Sequence, residues 1–251
     1  MSRKIKPRPD NGMTERYRGQ LQKTQVNVEG YIEHQRSIGD NLIVIDKLIR
    51  PGVCKDFLEN ALYNNDGHDR WLPNIEYGKG KPWPVSEWGY TLVEPETEDW
   101  FDSKMTEKSK NLWNEVKGYI EDEFKITPII NGAHLNATTF GQESMIHQDS
   151  PDGSNIFAIL FFNDDMNAYD GGELQTYINL NPDDDENVDF FQSEVNYSIS
   201  PQVGKLVLAD ARILHRGLAP SRFYAKTRFT MAIKMKFDNP QEAWDKLQFK
   251  W

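Results

Sequence analysis

The segment 145–150, Met-Ile-His-Gln-Asp-Ser, places an imidazole and a carboxylate two positions apart. On a β-strand, residues with this spacing point to the same side, so His147 and Asp149 can reach one metal ion together. A second histidine, His215, follows far downstream and completes a set of two imidazoles and one carboxylate. Such a set binds non-haem Fe(II) on one face and leaves three coordination positions open. The sequence therefore predicts a metal site formed by these three residues.

Around this segment the chain consists of short apolar runs separated by turn residues, a pattern typical of β-strands. Strands are predicted at residues 133–140, 144–149, 155–163, 173–178, 195–199, 203–209 and 227–237. The N-terminal half predicts helices at 51–63 and 97–124, and a strand at 88–93. Helices followed by many short strands predict a mainly β fold, a double-stranded β-helix (jelly-roll) core with N-terminal helices packed on one sheet.

The last predicted strand has one apolar face and one polar face. The apolar face consists of Phe229, Met231, Ile233, Met235 and Phe237. The opposite face consists of Lys226, Arg228, Thr230 and Ala232. If the apolar face packs against the helices, Arg228 and Thr230 face the barrel interior. The strand pattern alone therefore predicts a cation inside the barrel.

Charge and length indicate one domain preceded by a basic arm. We assign residues 1–38 to a polar, basic N-terminal arm and 39–251 to a single domain, with helical support at about 41–125 and a jelly roll at about 126–240. The net charge is −10, but the first 25 residues hold seven basic and two acidic side chains. The remaining chain thus carries −15, a poor fit for a protein that binds duplex nucleic acid by neutralising phosphates.

The single cysteine, Cys54, excludes an intrachain disulfide and any cysteine-based zinc or iron–sulfur site. The sequence shows no apolar run long enough to span a membrane and no signal-peptide core. We therefore expect a soluble, cytoplasmic protein with no membrane partner. The sequence does not specify an oligomeric state.

The order of the motifs points to a known superfamily. An apolar strand at 156–163 follows the His-x-Asp pair, then Gly-Gly-Glu-Leu at 171–174, Gly-Lys-Leu-Val-Leu at 204–208 ahead of His215, and finally Arg228 with Thr230. In this order the chain resembles the Fe(II)/2-oxoglutarate-dependent dioxygenases, most closely their prolyl-4-hydroxylase-like branch. The resemblance covers roughly residues 131–237, with a weaker match at 41–63.

The resemblance implies roles for individual residues. His147, Asp149 and His215 match the three iron ligands, and Arg228 matches the residue that binds the distal carboxylate of 2-oxoglutarate. A planar guanidinium suits that carboxylate because it can bind it with two parallel hydrogen bonds. Thr230 matches the hydroxyl residue beside it.

Two further positions concern the near end of the cosubstrate. Asn136 matches a position that contacts 2-oxoglutarate in the relatives that repair alkylated nucleic acids. At Thr138 many family members have a tyrosine, so the chain departs from the family pattern there. Lys226, on the same strand face as Arg228, is the alternative anchor for the distal carboxylate. His34, His68 and His134 are interpreted as structural or exposed.

The resemblance also implies the reaction and its cofactors. The expected activity is hydroxylation of a C–H bond in a peptide or protein (prolyl-type) or small-molecule substrate, with decarboxylation of 2-oxoglutarate to succinate. Fe(II), 2-oxoglutarate, O2 and ascorbate are the implied cofactors. Asp149 argues against the halogenating branch, which lacks the carboxylate ligand.

Two other functions remain open from the sequence. Within the enzymes, the alternative is a nucleic-acid demethylase or hydroxylase of the same superfamily, which Asn136 and the basic arm favour and the acidic body opposes. Outside the enzymes, it is a non-catalytic jelly-roll binding or structural module. His147 as a barrel histidine and Asp149 as a turn cap are the corresponding structural interpretations.

Overall fold

The computed structural model describes residues 36–39, 41–63, 72–73, 88–93, 107–150, 155–179 and 193–249. The helices are α1 (Pro51–Tyr63), α2 (Glu107–Phe124) and α3 (Pro240–Leu247). The strands are β1 (Arg36–Gly39), β2 (Leu42–Ile45), β3 (Leu72–Pro73), β4 (Trp88–Val93), β5 (Ile129–Thr138), β6 (Ile156–Phe161), β7 (Leu174–Asn179), β8 (Ser193–Ile199), β9 (Leu206–Asp210), β10 (Leu214–Gly217) and β11 (Arg228–Lys236).

The strands form two antiparallel sheets. The major sheet has the order β1-β2-β9-β6-β11-β5-β4-β3, and the minor sheet has the order β10-β7-β8. Apolar side chains from both sheets, including Phe157 and Val207 of the major sheet and Leu174 of the minor sheet, form one buried cluster. The chain is therefore mainly β, with the double-stranded β-helix architecture that the sequence predicts.

A second, larger cluster lies between the major sheet and the helices. Met231, Ile233 and Met235 of β11 pack there with Trp113 and Val116 of α2. The other face of β11 is directed into the barrel, because strand residues alternate between the two faces. The predicted separation of the two faces of this strand is confirmed, and it places Arg228 and Thr230 inside.

Several predicted boundaries differ from the structure. Residues 144–149 form no regular strand; they contain only an isolated bridge between His147 and His215. Strand β10, which makes that bridge, was not predicted, because its four residues include only one aliphatic side chain. Strand β5 begins four residues earlier than expected, since Asn131 and Gly132 stay in the sheet.

The ends of the chain also bear on the predicted domain bounds. Strand β1 pairs with β2, and its first three residues fall in the segment assigned to the arm. Residues 1–35 of that segment lie outside the described residues. Residues 97–106 of the second predicted helix also lie outside them. Helix α3 was not predicted. Asn239 caps its N-terminus, and its Trp244 Nε1 donates to Asp210 Oδ2 at 3.2 Å. Within the described residues, no helix is long and apolar enough to cross a membrane.

Candidate metal centre

Backbone hydrogen bonds fix the His-x-Asp segment against the strand that carries the second histidine. The amide of His147 donates to the carbonyl of His215 at 3.0 Å, and the amide of His215 donates back at 2.9 Å. The amide of Asp149 donates to the carbonyl of Ala211 at 3.0 Å. Within the described residues, the segment has a strand partner on one side only, and these bonds fix its register. As a result, residues 68 positions apart in sequence are neighbours.

The three predicted ligands converge. His147, Asp149 and His215 each offer one ligand atom, and these atoms all lie within 4.8 Å of one another. The Nε2 atom of His215 is 3.6 Å from Oδ2 of Asp149. The ring of Phe157 stacks on the His215 ring at 4.2 Å between centroids and limits its rotation. The structure therefore brings together the set that the sequence predicts for a metal.

Hydrogen bonds also select the tautomer of both histidines. Nδ1 of His147 lies 2.8 Å from the carbonyl oxygen of Met145, and Nδ1 of His215 lies 2.9 Å from that of Ile213. A carbonyl oxygen only accepts, so both Nδ1 atoms must carry the proton. The Nε2 atoms then keep their lone pairs for a metal, the arrangement that outer-shell hydrogen bonds impose on metal-binding histidines.

The charge states suit metal binding at neutral pH. Burial lowers the pKa of His215 to about 4, so its imidazole is neutral. Burial alone would raise the pKa of Asp149, but the ammonium group of Lys234, 2.8 Å from Oδ1, holds that pKa below its usual value. A neutral imidazole and an ionised carboxylate are the protonation states that bind a divalent cation.

We expect the metal-free protein to lose stability between pH 7 and pH 5. The unfolded chain protonates His215 near the ordinary pKa of 6.5, whereas the folded chain does so only near 4. Below pH 6.5 the unfolded state therefore binds more protons, which lowers the free energy of unfolding by about 2 kcal/mol at pH 5. Urea unfolding of chelator-treated protein at both pH values measures this loss.

The variant His215→Asn tests the assignment. It should lose about 2 kcal/mol of the pH dependence and keep the part that comes from His134, whose pKa burial also lowers. Asp149 stays ionised across this range and contributes nothing to it. Equal stability of the wild-type protein at pH 7 and pH 5, or an undiminished dependence in His215→Asn, would contradict the account.

A buried cation lies deeper in the barrel, on β11. Arg228 is 4% exposed. Its Nε donates to Thr138 Oγ1 at 2.9 Å and its Nη1 donates to the carbonyl of Gly172 at 2.9 Å. A Cβ atom at Gly172 would lie 2.8 Å from Cδ of Arg228, and one at Gly217 would lie 2.9 Å from its Nη2. Because Gly172, just before β7, and Gly217 of β10 have no Cβ, the side chain of Arg228 can pack directly against both.

Two polar atoms in the barrel interior have no hydrogen-bond partner. Asn136 Oδ1 and Thr176 Oγ1 are both buried without one. Asn136 is paired in register with Thr230, and Thr176 is paired with His215, so they lie on opposite sheets. Buried polar groups are normally satisfied. Their lack of partners, together with the buried cation Arg228, fits a polar ligand bound between the sheets.

The structure separates the two candidate anchors on the polar face of β11. Lys226 precedes the strand, is exposed, and pairs with Asp165 on a surface loop. Arg228, two residues later, is enclosed by the barrel. The sequence pattern could not distinguish them, because both fall on the same predicted face.

Sequence reasoning missed three residues of this region. His134 lies on the interior face of β5, opposite Ala232. Burial lowers its pKa, and the nearby charge of Asp149 partly offsets this effect. From sequence alone it is interpreted as structural or exposed. Thr176 gave no sequence signal beyond its alternation with apolar neighbours. No sequence pattern singles out Lys234, although it continues the interior face of β11 and its Nζ lies 2.8 Å from Asp149 Oδ1.

Comparison with solved structures identifies the fold. The carbocyclase SnoK of nogalamycin biosynthesis, a non-haem α-ketoglutarate-dependent enzyme, superposes with a TM-score of 0.57 at 11% identity, covering 79% of this chain and 80% of that one. A Trichoplax adhaerens prolyl hydroxylase, solved with a hypoxia-inducible-factor peptide fragment, gives 0.51 at 14% identity, covering 81% and 86%. A 2-oxoglutarate/Fe(II) oxygenase-family oxidoreductase from Burkholderia pseudomallei gives 0.51 at 11% identity, covering 78% and 84%.

The chain thus has the fold of the 2-oxoglutarate/Fe(II) oxygenases, as the motif order indicates. In this fold its own His147, Asp149 and His215 form a triad that fits a facial iron site. No protein-family model matches the sequence, and a search of curated proteins finds no match.

Proposed function

We propose that the chain is an Fe(II)- and 2-oxoglutarate-dependent dioxygenase that hydroxylates a C–H bond of a peptide, protein or small-molecule substrate. The convergence of His147, Asp149 and His215 on one point carries the proposal. The free Nε2 lone pairs and the ionised carboxylate fit the donor set of non-haem Fe(II). With three protein ligands, three positions stay open for cosubstrate and O2.

The bound iron would supply the oxidising chemistry, driven by decarboxylation of 2-oxoglutarate to succinate. The protein's part is to bind and orient. Arg228 would pair with the distal carboxylate of 2-oxoglutarate in a site closed to water, where charge-assisted hydrogen bonds are strong. Thr230 lies beside it on the same face of β11, and the hydroxyl of Thr176 remains available to donate to the cosubstrate. Asn136 would contact it through its amide NH2, because 2-oxoglutarate offers only acceptor oxygens.

Thr138, where many family members have a tyrosine, holds the guanidinium of Arg228 in place. Its hydroxyl accepts from Nε of Arg228, with which it is paired in register. Nη2 of Arg228 lies beside Gly217. The cosubstrate carboxylate would therefore bind the edge of the guanidinium beside this glycine.

We expect Gly217→Ala to weaken the use of 2-oxoglutarate while leaving the fold intact. The added Cβ would lie 2.9 Å from Nη2 of Arg228, the end of a flexible side chain that can shift. Displacing the guanidinium by even a small distance disturbs a two-point contact, so KM for 2-oxoglutarate should rise about tenfold. Steady-state succinate release measures it. A helix glycine with open space around it, Gly118, gives the matched control Gly118→Ala; equal KM values for both variants would contradict the proposed pose.

A prolyl residue in a peptide or protein is the leading substrate, with a small molecule as the alternative. The motif resemblance supports the first, and the likeness to the carbocyclase SnoK of nogalamycin biosynthesis supports the second. Fold alone does not define a substrate, because substrate loops vary freely on a shared scaffold.

A succinate-release screen tests the proposed function. Full-length protein with Fe(II), 2-oxoglutarate, O2 and ascorbate is presented with proline-containing peptides, free amino acids, nucleosides and other small molecules. We expect substrate-stimulated succinate release from the peptide or small-molecule sets, with a product heavier by one oxygen atom. Stimulation by nucleosides alone would overturn the proposed substrate class. Protein that binds neither iron nor 2-oxoglutarate would overturn the reaction itself.

A further inference from the structure

The carboxylate of Asp149 has two different partners. Oδ2 faces Nε2 of His215 at 3.6 Å, on the side where the three ligand atoms converge. Oδ1 accepts from Nζ of Lys234 at 2.8 Å. One oxygen is thus directed to the candidate metal position, and the other is directed to a fixed ammonium group.

Lys234 reaches this position because of the register of β11. Counting in steps of two, the interior face of that strand presents Arg228, Thr230, Ala232 and then Lys234. Thr230 and Ala232 separate the two cations. Strand β11 therefore carries two cations: Arg228 at the proposed cosubstrate site and Lys234 beside the candidate metal ligand Asp149.

The Lys234–Asp149 pair differs from surface ion pairs of the described chain. The side chains of Lys234 and Asp149 are 31% and 12% exposed, whereas those of Lys55 and Glu59 are 67% and 55% exposed. An exposed pair contributes little and readily exchanges partners with water. A partly enclosed charge-assisted hydrogen bond holds its acceptor in a defined orientation.

We propose that Lys234 is a positioning residue that holds Asp149 to a single metal-binding oxygen. Because Oδ1 accepts from the ammonium group, it is the weaker metal donor of the two oxygens, and Oδ2 is the one presented. This inference rests on the proposed function, in which a chelating 2-oxo acid and O2 need three open positions. A carboxylate free to bind through both oxygens would take one of those positions.

Cobalt substitution tests the proposal without relying on activity. Metal-free full-length protein is titrated with Co²⁺, whose visible d–d absorption reports coordination number and geometry. Lys234→Met keeps the length of the side chain but removes the donor, and Lys234→Arg keeps a charged donor. Lys236→Met, at an exposed lysine two residues along the same strand, is the matched control.

We expect Lys234→Met to bind Co²⁺ with an altered spectrum, whereas Lys234→Arg and Lys236→Met reproduce the wild-type spectrum. The affinity of the cobalt protein for 2-oxoglutarate should fall about tenfold in Lys234→Met. Changes to outer-shell partners typically reduce metal affinity or activity by about 10–100-fold, and this value is at the lower end of that range. If Lys234→Met does not fold, Lys234→Gln is measured instead; as a neutral donor it should give an intermediate spectrum.

The outcomes separate this inference from the proposed function. A wild-type spectrum and wild-type 2-oxoglutarate affinity in Lys234→Met, or an unchanged spectrum in Lys234→Gln, would overturn the positioning role and leave the metal site standing. If Asp149→Ala binds Co²⁺ as tightly as the wild-type protein does, the proposed metal site is overturned, and the positioning role of Lys234 falls with it.

Discussion

Asp149→Ala should abolish turnover and weaken metal binding by at least about 100-fold. Its carboxylate is the single anionic member of the ligand set, and its loss leaves two neutral imidazoles to hold a dication. Because changes to outer-shell partners alone cost 10–100-fold in metal affinity, removing a ligand should cost more. The removed charge also leaves Lys234 unpaired beside the metal position, where it repels a cation.

Titration of metal-free protein with Fe(II) or Co²⁺, together with succinate release, measures both effects. The matched control is Asp164→Ala, which removes an exposed carboxylate from a surface loop and should behave as wild type. Turnover retained in Asp149→Ala would mean that the ligand assignment is wrong.

Arg228→Ala should raise the requirement for 2-oxoglutarate by about 100-fold while iron stays bound. Truncating one partner of a buried, hydrogen-bonded charge pair costs about 2–5 kcal/mol, a loss of about 30-fold or more, and a 100-fold change falls within that range. The iron ligands come from other strands and loops, so their geometry does not depend on the guanidinium. Arg228→Lys keeps the charge without the planar fork and should recover only part of the loss.

Binding of 2-oxoglutarate to the metal-loaded protein, measured by calorimetry, gives the affinity directly. Lys226→Ala is the control, because Lys226 is exposed and pairs with Asp165. We expect it to bind the cosubstrate as wild type does. If Lys226→Ala loses the affinity and Arg228→Ala keeps it, the two assignments must be exchanged.

The features predicted best from sequence are those in which one strand face is buried and the other is polar. The alternation in β11 identifies its core face and directs Arg228 into the barrel, since a shift by one residue would turn the charges toward the apolar core under the helices and turn Met231 and Ile233 toward the polar barrel interior. The spacing of His147 and Asp149 is similarly informative, although their segment is not a regular strand. Its backbone bonds to His215 and Ala211 give it the register that a strand would have.

The remaining features depend on contacts that no local pattern contains. Strand β10 is too short and too polar to be identified without its partner β7. Gly217 matters only because the side chain of Arg228 passes beside it. Lys234 follows three apolar or small residues and resembles a solvent-exposed strand end until the fold places its ammonium group on Asp149.

The most direct test of the metal centre is the absorption spectrum of the full-length protein with Fe(II) and 2-oxoglutarate under anaerobic conditions. Chelation of the 2-oxo acid by iron in a facial site gives a weak visible charge-transfer band. We predict that this band saturates at one 2-oxoglutarate per chain and is absent from Asp149→Ala. Folded wild-type protein that shows no band at saturating iron and 2-oxoglutarate would contradict the account.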